Sequence, residues 1–374
     1  MPGGFELVVG SVMPETGSLA LFGPAMIVSI ELAVQDIRAA GGDVRLLTGD
    51  SATDPDVAPE TVNRLLGEGA HVIVGASAAG GSQSFIQTLY DAQIPQCAPS
   101  NTSTSFSTQE NAAYYFRTVP PTQAAALILA NMVAGEGATN VALPARADDW
   151  GNSLAELLAE NLDNLGVANR ILAYDEDATS FDATVAAVEA MGADAVVLIS
   201  FTEGAQIIRG LLEVGVPPSA IYGSDGTYAP DLNEMVDPAN PGVLDGLKAI
   251  TVGGGKKHNL RLEPLTGGNV LYGAQAYDCV VVLALASAAA GSTAGPDIIK
   301  QVQAVTATGQ KCFDYKQCAA LIAEGADIDY DGVSGPLELD GVGDPRYGQY
   351  LVAEFIDGEL VVVETLDADL AAAG

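Results

Sequence analysis

The apolar and polar positions of this chain predict short strands that alternate with amphipathic helices. Runs rich in Val, Ile and Leu end at Gly, Ser, Asp or Pro, and stretches with apolar residues at helical spacing follow them. Before residue 120 the order is βαβαβαβ, which predicts a parallel sheet with right-handed crossovers. The strands predicted there are Phe5–Val12, Val44–Leu47, Val72–Val74, Ile94–Cys97 and Tyr115–Val119, and the helices are Pro24–Ala40, Pro59–Gly67 and the stretch that begins at Ser82.

A second series of the same kind follows Pro120-Pro121, which marks a first hinge. Its predicted strands are Asn140–Leu143, Arg170–Tyr174, Ala195–Ser200 and Ala220–Ser224, and its predicted helices are Thr122–Ala134, Ser153–Leu165, Phe181–Met191 and Glu203–Val214.

Beyond these, Leu247–Val252 is strand-like, and the long apolar helix around Gly273–Ala289 is typical of a core helix. A third crossing is predicted near Asp327–Gly335 and a terminal hairpin around Asp357-Gly358. We therefore predict an α/β fold with two doubly wound parallel-sheet lobes joined by a three-strand hinge. Lobe 1 would comprise residues 1–119 and 248–332, and lobe 2 residues 120–247 and 333–374. Two such lobes imply a cleft that closes by hinge motion.

The stretch from His71 to Thr104 carries the clearest functional pattern. A glycine–serine loop, Gly75–Ser82, follows one predicted strand, and a hydroxyl-rich loop, Pro99–Ser103, follows the next. In an open parallel sheet both loops lie at the carboxyl edge, where ligands bind. We expect Ser82 to cap the next helix, whose free N–H groups would help to bind an anion the size of a carboxylate. The hydroxyl groups available to this cradle belong to Ser77, Ser82, Ser100 and Thr102.

Charge narrows the choice of partner. The 374 residues include 48 acidic and 15 basic ones, for a formal charge of −33, and the hydrophobic content of 48% excludes a disordered chain. A field of this sign repels nucleic acid and anionic lipid, so we expect neither as a partner. It also disfavours a multiply charged anion as ligand, but it permits a zwitterion. A solubilising surface or a salty habitat explains the charge adequately.

Compartment and cysteines are consistent with export. No apolar run has the length of a membrane span, and we interpret the chain as one whose export segment has been removed. Four cysteines are compatible with an oxidising compartment. Cys312 and Cys318 bracket a short FDYKQ loop and are close enough to pair, and Cys97 with Cys279 is a candidate second pair. Four cysteines allow three pairings, so the sequence leaves the choice open.

The sequence motifs argue against a metal site and against enzyme activity. Residues 327–338 match the spacing of an EF-hand calcium loop, but Pro336 and the strand-like LELD prevent the exiting helix, so we predict no metal site. Nucleophile-elbow, zinc-protease and phosphate-loop motifs are missing, the glycines after Val74 lack the dinucleotide spacing, and His71 and His258 lie in unremarkable contexts. We therefore predict no enzyme activity and no cofactor.

Several segments, taken together in their order and spacing, resemble those of a known family. They are LFG, AVQDIRAAGG, DSATDP, VGASAAGGSQ, CAPSNTS, FRTVPP, DDWGNS, GSDG, AYDCVVVLALA and DIDYDGVSGPLELD. Over nearly its whole length the chain resembles type I periplasmic solute-binding proteins of the branched-chain amino acid (Leu/Ile/Val) class. The resemblance implies a non-catalytic extracytoplasmic receptor, periplasmic or a cell-surface lipoprotein, that delivers its ligand to an ABC importer.

In lobe 1 the resemblance implies that the hydroxyls of PSNTS bind the ligand's carboxylate and ammonium. These are Ser100 and Thr102, with Asn101 between them. Phe22 matches an aromatic residue at the mouth of the lobe, and Tyr277 one near the hinge, although both could equally be core residues. Ala79 stands where many members have serine, so Ser77 or backbone N–H groups would bind instead. The disulfide of some members is absent, because Thr53 and Ala78 occupy those positions.

In lobe 2 the resemblance implies an aromatic lid and an acid. Trp150 stands where the family usually has tyrosine, and Phe201 or Thr202 matches a further cleft aromatic. Asp225, in GSDG, resembles the acid that pairs with the ammonium group, although alone it could be a turn residue before Gly226. In the same way, Ser100 and Thr102 could belong to an ordinary polar turn.

The sequence therefore predicts capture of an amino acid or close analogue by cleft closure, and delivery to an ABC permease. A sensor domain of the same fold is one alternative. A transport protein for urea, short amides or aromatic acids is another.

Overall fold

The structure, a computed structural model, describes residues 4–370 and contains two compact units. Among the described residues, unit 1 comprises 4–120, 253–348 and 368–370, and unit 2 comprises 121–252 and 349–367. The chain therefore passes between the units after Pro120, Val252, Gly348 and Asp367.

The strands of both units are numbered in chain order. They are β1 Leu7–Met13, β2 Val44–Asp50, β3 Val72–Gly75, β4 Gln96–Ala98, β5 Tyr115–Arg117, β6 Asn140–Arg146, β7 Ala168–Tyr174, β8 Ala195–Leu198, β9 Ile221–Gly223, β10 Lys248–Val252, β11 Gln310–Cys312, β12 Ile328–Gly332, β13 Gly335–Pro336, β14 Tyr347–Ile356 and β15 Glu359–Asp369.

The α-helices are numbered in the same way. They are α1 Gly23–Ala39, α2 Val57–Gly67, α3 Ala79–Ala92, α4 Thr122–Gly135, α5 Asp149–Asn164, α6 Asp182–Met191, α7 Gly204–Glu213, α8 Leu232–Val236, α9 Lys256–Thr266, α10 Gly273–Ala290, α11 Gly295–Val302, α12 Ala304–Ala307 and α13 Tyr315–Ala323. Short 3₁₀ helices lie at Thr104–Ser107, Glu110–Ala112, Pro218–Ala220 and Asp225–Thr227.

Unit 1 is built on a five-stranded parallel sheet in the order β2-β1-β3-β4-β5. Strand β1 is buried along its whole length, as expected for a parallel strand covered by helices on both faces. The strand order reverses between β1 and β3, and this reversal opens a crevice at their carboxyl ends. The predicted parallel, doubly wound sheet is confirmed in this unit.

Unit 2 repeats the arrangement in a seven-stranded sheet, in the order β15-β14-β10-β9-β8-β6-β7. Strands β6 to β10 are parallel, whereas β14 pairs antiparallel to β10. Here the order reverses between β6 and β8, so the crevice of this sheet lies at the carboxyl ends of those two strands.

The boundaries of the units differ from the predicted lobes at four places, and the two smallest differences are that Pro120 and residues 368–370 lie in unit 1 rather than in lobe 2. Strand β10 belongs to unit 2, because it is hydrogen-bonded to β9 and β14. Residues 333–348 belong to unit 1, where the Arg117 amide donates to the Gly343 carbonyl. The third passage therefore follows Gly348 rather than lying near Asp327–Gly335, and a fourth passage follows the predicted terminal hairpin, which is β14–β15.

Helix α10 is the core helix of unit 1. Among the described residues it is the one helix with the length and hydropathy of a membrane span, contrary to our expectation that no run reaches that length, but 89% of it is buried within the protein. Cys279 on this helix is bonded to Cys97 of β4, and Cys312 is bonded to Cys318. The structure thus selects one of the three possible pairings, and the predicted role of the helix as a core element is confirmed.

The calcium-like segment is held by a buried aspartate. Asp278 on α10 accepts hydrogen bonds from the Tyr330 hydroxyl at 2.7 Å, and from the amides of Val333 and Ser334 at 3.0 and 2.8 Å. The segment consequently forms β12 and a hairpin to β13. Nζ of Lys311 lies 2.7 Å from Oδ2 of Asp329, so this acid pairs with a lysine.

Candidate functional site

The two predicted loops of unit 1 meet at the carboxyl edge of its sheet. The hydroxyl oxygens of Ser77 and Ser100 are 3.0 Å apart, and Ser100 donates to the Ser77 carbonyl at 2.9 Å. The Asn101 amide nitrogen donates to the carbonyls of Ala76 and Ser77 at 3.0 and 2.7 Å. Hydrogen bonds therefore join Ser77, Ser100 and Asn101 across the loops after β3 and β4. We call these three residues and the adjacent Thr102 the hydroxyl cluster.

Two atoms of the hydroxyl cluster are suited to a ligand. Oδ1 of Asn101 and Oγ1 of Thr102 are buried and have no hydrogen-bond partner among the described residues. A buried polar atom without a partner costs roughly 1–3 kcal/mol. An ammonium group would satisfy the amide oxygen, and a carboxylate would accept from the threonine hydroxyl.

The start of α3 contributes backbone donors, but not in the way that we predicted. The helix begins at Ala79 and is preceded by Ala78, so Ser82 lies one turn inside it and the prediction that Ser82 caps the helix is wrong. Instead, Oγ of Ser82 accepts the amide of Ala76 at 2.9 Å and Nε2 of Gln96 at 3.0 Å. Ser82 thus holds the loop, while Ala79 supplies one of the first-turn N–H groups that have no partner within the helix.

A buried arginine holds the hydroxyl-rich loop in place by hydrogen bonds to its backbone carbonyls. Arg117 is wholly buried and donates to the carbonyls of Asn101 and Ser103 at 2.9 and 2.7 Å. Its charge is balanced by Asp344 at 2.6 Å, and it also donates to Oγ of Ser107 at 2.8 Å. Sequence reasoning did not identify this residue. The only signal was the FRTVPP segment, which we used as a mark of resemblance.

Phe22 and the hydroxyl of Tyr277, a residue of α10, are found near opposite ends of α1. Phe22 is buried immediately before the first residue of α1, at the carboxyl edge of the sheet. The Tyr277 hydroxyl donates to Asp36 at 2.8 Å, close to the far end of that helix. Fourteen residues of helix separate the two positions by about 21 Å. The structure therefore brings Phe22, but not the Tyr277 hydroxyl, to the edge that carries the hydroxyl cluster.

His258 is buried beside Tyr277. Its Nε2 is 2.8 Å from the Ser29 hydroxyl, its ring centre is 4.9 Å from that of Tyr277, and the charged groups that face it are Asp36 and Arg261. Burial, assisted by the Arg261 charge and opposed by Asp36, lowers the pKa of His258 from 6.5 to about 4. The imidazole is therefore neutral in the folded protein at pH values where it is protonated in the unfolded chain.

We expect this histidine to make unfolding depend on pH. Because its pKa is lower in the folded state, its contribution is complete above pH 6.5 and is lost as the pH falls toward 4. The loss should be of order 3 kcal/mol. Urea unfolding at several pH values measures it. His258→Gln should reduce the slope of the free energy of unfolding against pH between pH 4 and 6.5. His71→Gln, at a partly exposed site, should change this slope less. An unchanged slope in His258→Gln would contradict the assignment.

In unit 2 the corresponding edge carries an aromatic and cationic stack. The rings of Trp150 and Phe201 are stacked, with their centres 4.9 Å apart. Arg146 is the last residue of β6, and its guanidinium lies 3.8 Å from the centre of the Phe201 ring. Trp150 is the second residue of α5, and Phe201 follows β8. Both aromatic residues are nearly buried, so Trp150 packs against Phe201 within the unit. Its predicted lid role stays a prediction.

The charge of Arg146 is neutralised within unit 2. Its Nε lies 2.5 Å from Oδ2 of Asp148, and its Nη1 lies 2.8 Å from Oε1 of Glu203. The Tyr174 hydroxyl also donates to Glu203, and burial with this carboxylate nearby raises the pKa of Tyr174. Arg146 is therefore committed to internal carboxylates and shapes the stack rather than offering a free cation.

Asp225 lies beside this stack. It is 5% exposed and opens the short 3₁₀ helix that follows β9. The next residue must be glycine, because a Cβ on Gly226 would lie 1.9 Å from the Ser200 carbonyl oxygen and 2.9 Å from the Phe201 ring. This close packing fixes the Asp225 loop against the loop after β8. Thr202 in that loop is half-buried and lines a cavity of about 630 Å³ beneath α6 and α7.

Comparison with known proteins agrees with this architecture. Residues 6–317 match the family described as "Periplasmic binding protein". A Leu/Ile/Val-binding protein homolog 2 of Brucella abortus is 26% identical over 247 residues, which are 64% of this chain and 66% of that protein, just under two thirds of its length. Two solved structures share the fold. The leucine binding protein LivK of Thermotoga maritima is 18% identical, with a TM-score of 0.82 over 96% of this chain and 98% of its own. A solute-binding protein of an ABC transporter from R. palustris, in complex with 4-hydroxybenzoate, is 17% identical, with a TM-score of 0.78 over 98% of each chain.

The chain belongs to the periplasmic binding protein family. The resemblance to its type I, branched-chain amino acid class is confirmed, as is the α/β fold class. This family membership implies an extracytoplasmic location and a small-molecule ligand.

Proposed function

We propose that this protein binds an amino acid or a close analogue outside the cytoplasm, by hinge closure of its two units, and delivers it to an ABC import permease. The observation that supports the proposal is that one unit offers donors for a carboxylate and the other offers an acid for an ammonium group. Unit 1 has a hydroxyl cluster at a helix start, and unit 2 has a buried carboxylate, Asp225, at the same edge of an equivalent sheet. Closure would be favoured because the ligand binds the closed state more tightly than the open one.

The functional groups of an α-amino acid fit these two sets of residues. Its carboxylate would accept from the Thr102 hydroxyl and the first-turn amides of α3, and its ammonium would face Asp225 and Oδ1 of Asn101. Charge-assisted hydrogen bonds of this kind contribute about 1.5–3 kcal/mol each once they are removed from water. Binding and release require no bond to be made or broken, so the proposal contains no catalytic step.

A second candidate ligand is an aromatic acid, and one observation favours it. The Trp150–Phe201 stack provides an aromatic surface of the kind that pairs with a ring, and a solved protein of this fold is in complex with 4-hydroxybenzoate. Such a ligand has no ammonium group to donate to Oδ1 of Asn101, the buried acceptor that has no partner among the described residues. We therefore favour the amino acid. Urea, short amides and a sensor role remain the less favoured alternatives.

A thermal-shift screen with matched analogues tests the ligand class. Each amino acid is compared with the acid that lacks its amine and with its carboxamide, beside a set of aromatic acids. A ligand at about 100 Kd should stabilise the protein by roughly 2.7 kcal/mol. We expect the intact amino acid to give the largest shift. Larger shifts from the amine-free or aromatic acids would overturn the amino acid proposal.

A further inference from the structure

A cavity of about 420 Å³ lies in unit 1 beside β5, an edge strand of the five-stranded sheet. Its lining comes from β5, from α11, from the short 3₁₀ helices Thr104–Ser107 and Glu110–Ala112, and from residues 339–343. The residues of the hydroxyl cluster do not line it. Its volume is typical of small-molecule sites, which range over about 300–1,000 Å³.

The interior of this cavity is aromatic and aliphatic. The rings of Phe106 and Tyr115 are stacked, with their centres 4.5 Å apart, and both residues are almost wholly buried. Val302 and Leu339 also line the cavity and are buried. Aromatic rings pair favourably with a further ring, so a flat ring is the shape that suits this interior.

One polar group of the lining needs a partner. Nε2 of Gln109 is buried and has no hydrogen-bond partner within residues 4–370. An unpaired buried donor is costly, and the terminal torsion of glutamine is broad, so the amide can turn toward an acceptor in the cavity. A carboxamide matches it best, because such a group accepts at its oxygen and donates at its nitrogen.

The charges of the lining favour an uncharged ligand. Glu110, Lys300 and Asp340 are its charged residues, and all three are exposed, so their charges lie at the rim. Two acids and one lysine leave this rim negative in a chain of charge −33, which disfavours an anion. A cation would have to leave water for an apolar interior, with Lys300 at the entrance.

The protein shapes the cavity through its own hydrogen bonds. Oγ of Ser107 donates to Oδ2 of Asp344 at 2.6 Å and accepts from Nη2 of Arg117 at 2.8 Å, so the buried ion pair holds this part of the lining. Oδ1 of Asp340 accepts from the amides of Val342 and Asp344 at 2.9 and 3.0 Å and fixes the turn between them. The walls are therefore formed before any ligand binds, as in most small-molecule sites.

We propose that this cavity binds an uncharged small molecule that consists of an aromatic ring and a carboxamide group. The ring would lie against Phe106 and Tyr115, and the carboxamide would form hydrogen bonds with Gln109. The site is separate from the proposed amino acid site, so the failure of either proposal leaves the other standing.

Titration with benzamide, followed by calorimetry and by ligand-observed NMR, tests the ligand class. We expect a Kd of about 1 mM, an ordinary affinity for a molecule of so few atoms. Benzoate and benzylamine carry a negative and a positive charge on a similar ring, and each should bind this cavity at least about fivefold more weakly. No binding of benzamide at a concentration of about 10 mM overturns the proposal. Binding of either charged probe in the cavity as tightly as benzamide overturns the uncharged class.

Matched glycine substitutions test the location. Gly341 lines the cavity, and a Cβ on it would meet no atom within 4 Å, so Gly341→Trp can fill the cavity without backbone strain. Gly67, the last residue of α2, has equally open surroundings away from the cavity, so Gly67→Trp is the control. Both variants should keep the melting temperature of the parent. Benzamide should bind Gly67→Trp like the parent and Gly341→Trp at least about tenfold more weakly, because a filled cavity has no room for it.

Binding that Gly341→Trp does not weaken occurs elsewhere on the protein, for all three probes. Equal affinity of benzamide for the two tryptophan variants therefore overturns the location.

Gln109→Met tests the polar contact, because methionine is similar in length but cannot form these hydrogen bonds. The variant should keep or raise the melting temperature, since it removes an unpaired buried amide. Benzamide should bind it at least about fivefold more weakly than the parent. Toluene, which has the ring alone, should bind both proteins equally. Undiminished binding of benzamide, or an equal loss for both probes, overturns the role of Gln109.

Discussion

Replacing Arg117 with methionine should lower the free energy of unfolding by about 3–5 kcal/mol, the usual cost of removing one partner of a buried ion pair. The substitution leaves Asp344 in the interior without its cation and removes the donors to the carbonyls of Asn101 and Ser103. Chemical denaturation of purified protein measures the change. The hydroxyl-rich loop should loosen as well, so the ligand-induced thermal shift should fall.

The matched control is Arg45→Met. Arg45 pairs with Glu6 at 3.0 Å, but both side chains are more than 40% exposed, so the pair should contribute less than about 1 kcal/mol. Asp344→Asn provides a second measurement, because it removes the charge and keeps the shape. If Arg117→Met were as mild as Arg45→Met, the buried pair could not be what holds the loop.

Replacing Asp225 with asparagine should weaken binding of the amino acid ligand by roughly a hundredfold. Truncating one partner of a buried, charged hydrogen-bonded pair costs at least about 2 kcal/mol, and asparagine preserves the size of the side chain while removing its charge. Isothermal titration with the best ligand from the screen measures the loss. Asp231→Asn, at an exposed position whose side chain caps no helix, should bind like the parent.

The amine-free analogue separates a lost contact from a damaged fold. If Asp225 binds the ammonium group, the analogue should bind the parent and Asp225→Asn with similar affinity, whereas the amino acid should discriminate strongly between them. An equal loss for both ligands would indicate a structural role. Undiminished binding of the amino acid to Asp225→Asn would remove Asp225 from the site.

The sequence alone was sufficient for the parallel sheet of unit 1 and for the meeting of its two loops, but it placed β10 in the wrong unit. Strand and helix alternation follows from local apolar periodicity, and the carboxyl ends of neighbouring parallel strands must share an edge. The contact between Ser77 and Ser100 was therefore predictable from residues 23 positions apart. Both disulfides were among the pairings considered, but the choice among the three possible pairings required knowing which cysteines are close in space.

Other features depended on contacts that no local pattern carries. Ser82 has the composition of a helix cap, yet its hydroxyl is used by Ala76 and Gln96, and the helix begins three residues earlier. The third passage between the units was misplaced because a buried Asp278, more than fifty residues away in the chain, holds the hairpin at Ser334 within unit 1.

What the sequence by itself determined is the order of strands and helices in the two βα series, the family, and the chemistry available at each strand end, because these depend on residue type and near neighbours. Only the tertiary structure decided which charged side chains are already neutralised by ion pairs within the protein. Arg117 pairs with Asp344, and Arg146 pairs with the nearby Asp148 and with Glu203. The Arg117–Asp344 and Arg146–Glu203 pairs join segments that are distant in the chain and share no local pattern. Burial and ionic pairing are set by the whole chain, so they could be identified only in three dimensions.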